Sequence, residues 1–486
     1  MQDLRATTSG RPHPLGQLAL ALALGFGGMA GAHAQSLQEL YDAARAYDAT
    51  YLAARATADT AQYKLQQAEA LARPTLGIGV TGQYQATSIP PGDTTVGSGS
   101  TGGTGTGSSG SSGSGSTAVA AALPVSHIDT TTLTAGFNGK MAVYNPGNSA
   151  SIEQARQSLG IYAADLANAE QDLIVRTAQA YFDVLAAQDT LTTSRANKTA
   201  IAEQLASAKR NFEVGTATIT DTREAQARYD LAVAQEIAAD NDLHVKQVVL
   251  DQLVGRKGVT PKPLLQPVAL PALPTDNVED WVSQGEQSPT IRKALLGMDV
   301  ARLDTKKARA AGGLTVDVTG QLGVQKVNNN LPGPLAVADG AGTTRAATLG
   351  VSINYPLYTG GAVSGAILEK LKLEEKASDD LDFARRSVTQ ATRSAFLNVE
   401  SLRAQVKAYE AAEASSKLSL EATQLGYKVG VRVNIDVLNA QSQLYTTEAQ
   451  LAKARYDTLV AGLKLRQANG SLQPSDVAGV NVLLAK

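Results

Sequence analysis

The chain has 486 residues, and its 43 lysines and arginines nearly balance 45 aspartates and glutamates. That balance excludes the basic face a nucleic-acid partner needs. The absence of cysteine excludes disulfides, thiolate chemistry and cysteine-based metal sites. Only four histidines are present, too few to build a zinc site or a histidine-based triad with ease. No phosphate loop or Gly-x-Ser-x-Gly elbow appears, so neither catalysis, a metal nor a cofactor is expected.

Residues 1–34 read as a secretory signal peptide. Arg5 and Arg11 precede an apolar run from Leu15 to Gly31, and Ala32-His33-Ala34 supplies a small-x-small cleavage pattern. No later stretch has the length of a transmembrane helix, so any membrane span must be made of strands.

The rest of the chain is one plan written twice. Phe212-Glu213-Val214-Gly215 returns 215 residues later as Tyr427-Lys428-Val429-Gly430, and the same offset pairs Ala180-Tyr181 with Ala395-Phe396, Asp221 with Asp436 and Gly255 with Gly470. The repeats are placed at 35–275 and 276–486. Such periodic self-similarity defines the architecture before any single element does.

The first repeat opens with a helical stretch, 36–72. A strand pair follows at 76–86 and 130–143, where Leu76, Ile78, Val80 and Tyr84, then Leu133, Ala135, Phe137 and Met141, alternate with polar or small residues. Period two marks strands with one apolar face. Strands near ten residues suit tilted bilayer crossing with the polar face toward a lumen, although alternation alone also fits a half-buried soluble sandwich. Between them, 92–118 is nearly pure Gly, Ser and Thr, a flexible insert. Long helices follow at about 148–212 and 219–254. Ala155, Leu159, Tyr162, Leu166, Ala169 and Leu173 keep the 4-3 spacing of a coiled-coil seam. A helix of that length spans roughly 95–100 Å, too long for an ordinary globular domain. Residues 255–275 carry five prolines and form a link rather than a helix.

The second repeat has a helix at 276–310, strands at 314–325 and 347–357 around a loop at 326–345, helices at about 362–427 and 434–469, and a short tail. Gly215 and Gly430 fall at helix C-caps, where each long helix turns into the next. Four strands cannot close a barrel, and an open edge in lipid leaves backbone groups unsatisfied. Two copies would give eight strands filled by side chains, whereas three give twelve and room for a lumen.

The stretches Phe212 to Asp221 and Gly426 to Ala440 resemble the paired turn motifs of the TolC family. Leu40-Tyr41-x-x-Ala44, Arg73-Pro74-Thr75-Leu76 and Ala180 to Leu185 extend the likeness over essentially the whole mature chain. The resemblance implies an α+β membrane protein: a trimeric 12-stranded β-barrel in outer-membrane lipid, continuous with a long periplasmic coiled-coil barrel. A periplasmic adaptor and an inner-membrane transporter of ABC, RND or MFS type would dock at its tip and drive export of small molecules or unfolded proteins. By the same resemblance, Thr220, Asp221, Tyr427 and Arg432 are expected to hold the tip shut. Asp436 and Asn439 fall where the family places two acidic rings at the pore constriction, and Asn439 departs from that pattern. Gly215 and Gly430 are expected at the partner-docking turns. Gly312-Gly313 stands where a proline would mirror Pro74, a difference expected to alter a bend. The alternative reading is a periplasmic coiled-coil adaptor, but adaptors carry one hairpin flanked by compact β domains.

Overall fold

Alternating apolar and polar residues form a ladder, and long alanine-rich stretches without proline form helices. The computed structural model describes residues 34–88, 127–268, 270–329 and 342–485. The expected signal peptide at 1–34, except Ala34, and the insert at 92–118 lie outside the described residues. The chain divides into two units: Asp59–Tyr162 with Ala294–Leu381, and Met1–Ala58 with Ala163–Lys293 and Asp382–Lys486.

The first of these units holds the sheet. Strands β1 (Thr75–Ser88), β2 (His127–Tyr144), β3 (Thr315–Asn329) and β4 (Gly342–Asn354) pair antiparallel in chain order. Residues directly opposite in such ladders point to the same face. Ile78 lies opposite Phe137, Phe137 opposite Leu322, and Leu322 opposite Ala347, so one apolar row crosses all four strands. The next row down is Leu76, Gly139, Gly320 and Leu349, with Leu76 89% and Leu349 83% exposed in the single chain. The other face carries rows such as Thr81, Thr134, Gln325 and Thr344, and an ion pair between Lys140 Nζ and Asp317 Oδ2 at 3.3 Å.

A bulge between Ala142 and Tyr144 shifts the β2–β3 register. The β3–β4 ladder runs beyond the apolar alternation, pairing Lys326 with Thr343 and Val327 with Gly342. Main-chain bonding needs no apolar partner, so the paired strands reach into the segment that its Asn and Pro content marks as loop.

Helices α1 (Leu37–Tyr47) and α2 (Ala49–Ala70) precede the first strand pair. Helices α3 (Pro146–Glu213) and α4 (Ile219–Val254) follow it. The second repeat gives α5 (Val278–Gly285), α6 (Pro289–Ala310), α7 (Ala362–Lys428) and α8 (Asn434–Ala468), then α9 (Pro474–Asn481). At 68 residues α3 is about 100 Å long. Pro146, Pro289 and Pro474 each occupy a first helical position, where the missing N–H costs nothing.

The opening helical stretch of each repeat is broken once. In the first, Asp48 leaves the helix and accepts the Tyr51 N–H at 2.8 Å. In the second, Ser288 precedes Pro289 and its Oγ accepts the Ile291 N–H at 3.3 Å. A residue before proline is pushed out of the helical region, which places the second break in the sequence itself.

The core of the other unit joins the two repeats. Leu40 and Tyr41 of α1, Leu173, Tyr181, Phe182 and Leu185 of α3, and Leu250 of α4 pack with Tyr456, Leu459 and Leu463 of α8. Phe182 and Tyr456 stack with ring centroids 5.7 Å apart. The Tyr456 hydroxyl donates to Asp189 Oδ2 at 2.7 Å. Burial pushes the Asp189 carboxyl above the usual carboxylate range, and the Tyr456 bond opposes that shift. The proline-rich link is drawn into this core. The Leu265 N–H donates to Leu483 O at 2.9 Å, the Ala485 N–H to Pro263 O at 2.8 Å, and the Gln35 N–H to Thr260 O at 2.8 Å. Gln35 and the segment at 483–485 are thereby both tied to the link between repeats.

Candidate functional site

The two interhelical turns, α3 to α4 and α7 to α8, have the same backbone hydrogen bonds. The Gly215 N–H reaches Phe212 O at 3.0 Å, and the Thr216 and Ala217 N–H groups converge on Asn211 O at 2.8 and 3.1 Å. In the second repeat the Gly430 N–H reaches Tyr427 O at 3.1 Å, and those of Val431 and Arg432 converge on Gly426 O at 2.9 and 3.2 Å. Both turns need one left-handed residue. Gly215 has φ 78° and Gly430 φ 81°, a conformation that glycine adopts without a Cβ penalty.

After the turn the repeats differ. Thr218 caps α4: its Oγ1 accepts the Asp221 N–H at 3.2 Å, and Asp221 Oδ2 takes the Thr218 N–H at 2.9 Å and its hydroxyl at 2.8 Å. That is a closed capping box, satisfying two helix-end donors reciprocally. In α8 the cap position is Val433, which has no acceptor. Asp436 Oδ2 reaches back to the Val433 N–H only at 3.5 Å and lies 3.6 Å from Arg432 Nη1.

Three hydrogen bonds cross between repeats here. Asn211 Nδ2 donates to the Tyr427 hydroxyl at 3.2 Å, Arg228 Nη2 donates to Asn439 Oδ1 at 2.9 Å, and Gln204 Nε2 donates to Asn434 Oδ1. Beneath them Leu205, Ala208 and Ala225 pack on Leu438. Asn434 is 3% exposed, and its Nδ2 has no partner among the described residues.

The sequence-selected residues therefore sit in or just after the paired turns. Tyr427 is brought to Asn211, Asp436 to Arg432, and Asn439 to Arg228. Asp221 and Arg432 are not brought together within one chain: among the described residues Asp221 makes no ion pair. Thr220 is exposed.

Asn211, Gln204, Arg228 and Asn434 were not anticipated. Gln204 and Asn211 stand seven residues apart on α3, and Asp221 and Arg228 seven apart on α4. That spacing puts each pair on one helix face, the one signal that marks them. Among the described residues no cluster could hold a metal, and no helix is long and apolar enough to cross a membrane.

A four-stranded sheet with an exposed apolar face, and long hairpins ending in matched turns, define a membrane-embedded channel subunit. The chain belongs to the outer membrane efflux protein family, whose pattern it matches over residues 40–256 and 284–471. It is 34% identical over 355 residues to the outer membrane protein TolC of Vibrio cholerae, covering 72% of this chain and 79% of that protein. To the alkaline protease secretion protein AprF of Pseudomonas aeruginosa it is 31% identical over 312 residues, covering 63% of each. Its fold is similar to the crystal structure of the outer membrane protein VceC of Vibrio cholerae, with TM-score 0.69, 17% identity, and 89% of this chain and 96% of that one covered. The chain is an outer-membrane exit duct with its helical hairpins in the periplasm, and the adaptor reading is set aside. Its family consists of channels rather than enzymes.

Proposed function

We propose that three copies of the chain share one twelve-stranded barrel, and that the paired turns form a gate opened when a periplasmic adaptor and an inner-membrane transporter dock. The observation that carries this reading is the open four-stranded sheet: its apolar face is exposed and, among the described residues, its edge strands β1 and β4 have no partner on one side. In hydrocarbon such edges must be paired, and further copies of the same sheet supply the pairing. Three copies give the smallest barrel of this kind with a lumen.

Thr220, Asp221, Tyr427 and Arg432 then hold the tip through contacts between copies. Among the described residues of one chain, no hydrogen bond or ion pair engages Asp221 Oδ1. The Tyr427 hydroxyl accepts from Asn211 and keeps its own hydrogen to donate. A guanidinium meeting a carboxylate gives a directional pair. Exposed pairs are individually weak, so a ring of them closes the tip and can still be undone. Asp436 and Asn439 line the constriction, Gly215 and Gly430 shape the turns that partners grip, and the duct itself performs no catalysis. AprF is a protease secretion protein, which supports unfolded proteins as one cargo class beside small molecules.

The test is single-channel conductance of detergent-extracted protein in planar bilayers. Asp221→Ala and Arg432→Ser should each raise conductance several-fold and admit large antibiotics into cells. Conductance equal to the parent in both would place the gate elsewhere. Native mass measurement checks the trimer, and a stable monomer with a closed barrel would overturn it.

A further inference from the structure

We propose that Arg228 sets the ion preference of the constriction, by standing as an uncompensated cation beside Asn439. The inference rests on the reading that puts Asp436 and Asn439 at the pore.

Each constriction position has a guanidinium beside it. Asp436 Oδ2 lies 3.6 Å from Arg432 Nη1, so one acidic charge is matched within the chain. Asn439 Oδ1 accepts from Arg228 Nη2 at 2.9 Å. An amide can accept that bond but cannot neutralise the charge, and Arg228 makes no ion pair among the described residues. The side chain is held in place from both ends. Arg228 lies on α4 three residues past Ala225, which is buried against Leu438, the neighbour of Asn439 on α8. The cation is therefore positioned rather than free to swing into solvent.

A guanidinium stays protonated throughout the accessible pH range. With Asp221 and Asp436 set against Arg432 and Arg228 the charges at the tip balance in number, but beside Asn439 the Arg228 guanidinium has no carboxylate of its own chain to pair with among the described residues, and this is repeated around the three-fold axis. Charges within a Debye length of about 8 Å act on a permeating ion together, and a narrow low-dielectric mouth focuses their field. The ring at 439 is on this account repulsive to cations, the reverse of what a second ring of aspartates there would give.

The experiment is the reversal potential of reconstituted channels across a potassium chloride gradient at low ionic strength. Arg228→Gln should raise the potassium-to-chloride permeability ratio by about threefold, the size expected of a few unit charges acting across several ångströms of water. Arg228→Lys should behave as the parent. Asn439→Asp leaves Arg228 in place, gives it a carboxylate, and should move the ratio in the same direction as Arg228→Gln. High salt should shrink both shifts by screening. If Arg228→Gln or Asn439→Asp leaves the ratio unchanged while Asp436→Ala shifts it, the constriction stands and Arg228 does not govern it. If Asp436→Ala is silent as well, the assignment of the constriction itself is wrong, and this proposal falls with it.

Discussion

Asp48 does two jobs at one break in the chain. Its carboxylate caps the start of α2 through the Tyr51 N–H, and it receives Arg176 through both terminal nitrogens at 3.0 Å each. The side chain is 9% exposed, so its charge depends on those partners. The Arg176 bonds, more than the backbone ones, hold the carboxyl below the usual aspartate range against the opposing effect of burial. A carboxylate whose folded pKa is depressed stabilises the fold fully above its unfolded value, and that stability is lost as pH falls through the folded value. Asp48→Asn should therefore cost about 2 kcal/mol at neutral pH. In acid the variant and parent should converge, the gap closing below about pH 4 as the carboxyl protonates, which thermal melts from pH 7 down to about pH 2 would show; a constant gap would mean that charge is not what Asp48 contributes. Nothing in the sequence marks this residue. Its partner lies 128 residues away, and an aspartate inside a helical stretch has no local signature. Arg228 carries a spacing signal on α4, but its partner Asn439 is likewise distant, 211 residues away. Short-range patterns select residue types and faces; the pairing itself is made by packing.

At the level of elements, more was legible. Alternation named the apolar face of β1 and β2, and the 215-residue offset named the matched turns, because both signals are periodic and local. What the pattern did not reveal is how differently the two turns end. Thr218 and Asp221 close a capping box, whereas Val433 leaves Asp436 with a long backbone contact and an arginine. Thr218→Ala should cost about 1 kcal/mol of α4 stability, the usual loss for a threonine cap. Val433→Thr should work in the opposite sense. A hydroxyl at that position can accept the Asp436 N–H and draw its carboxylate inward, away from Arg432. Amide exchange in the first turn of α8 should slow several-fold, while the first turn of α4 is unchanged. Exchange as fast as in the parent would mean that the α8 terminus is satisfied by contacts other than its own cap.

For the whole molecule the deciding feature is which face of the sheet meets lipid. The row Ile78, Phe137, Leu322 and Ala347 lies on the exposed apolar face, and Gln321 beside Leu322 points to the other. In water an apolar surface of that extent would be a liability; in an outer membrane it is the anchor. A charge placed on it must be carried into hydrocarbon by every copy in the assembly. Arginine at the midplane of a barrel's lipid face costs about 2–4 kcal/mol, and one on the lumen face is solvated. Leu322→Arg should therefore reduce the fraction of chain recovered as assembled protein in the outer membrane at least tenfold. Gln321→Arg, one residue away on the same strand, should assemble like the parent and alter only conductance. The pair is decisive because both substitutions add the same side chain to β3 and differ only in the direction it points. Equal recovery of the two would show that the apolar rows do not face lipid, and the barrel reading would fail. Loss of Gln321→Arg alone would place the polar face outward.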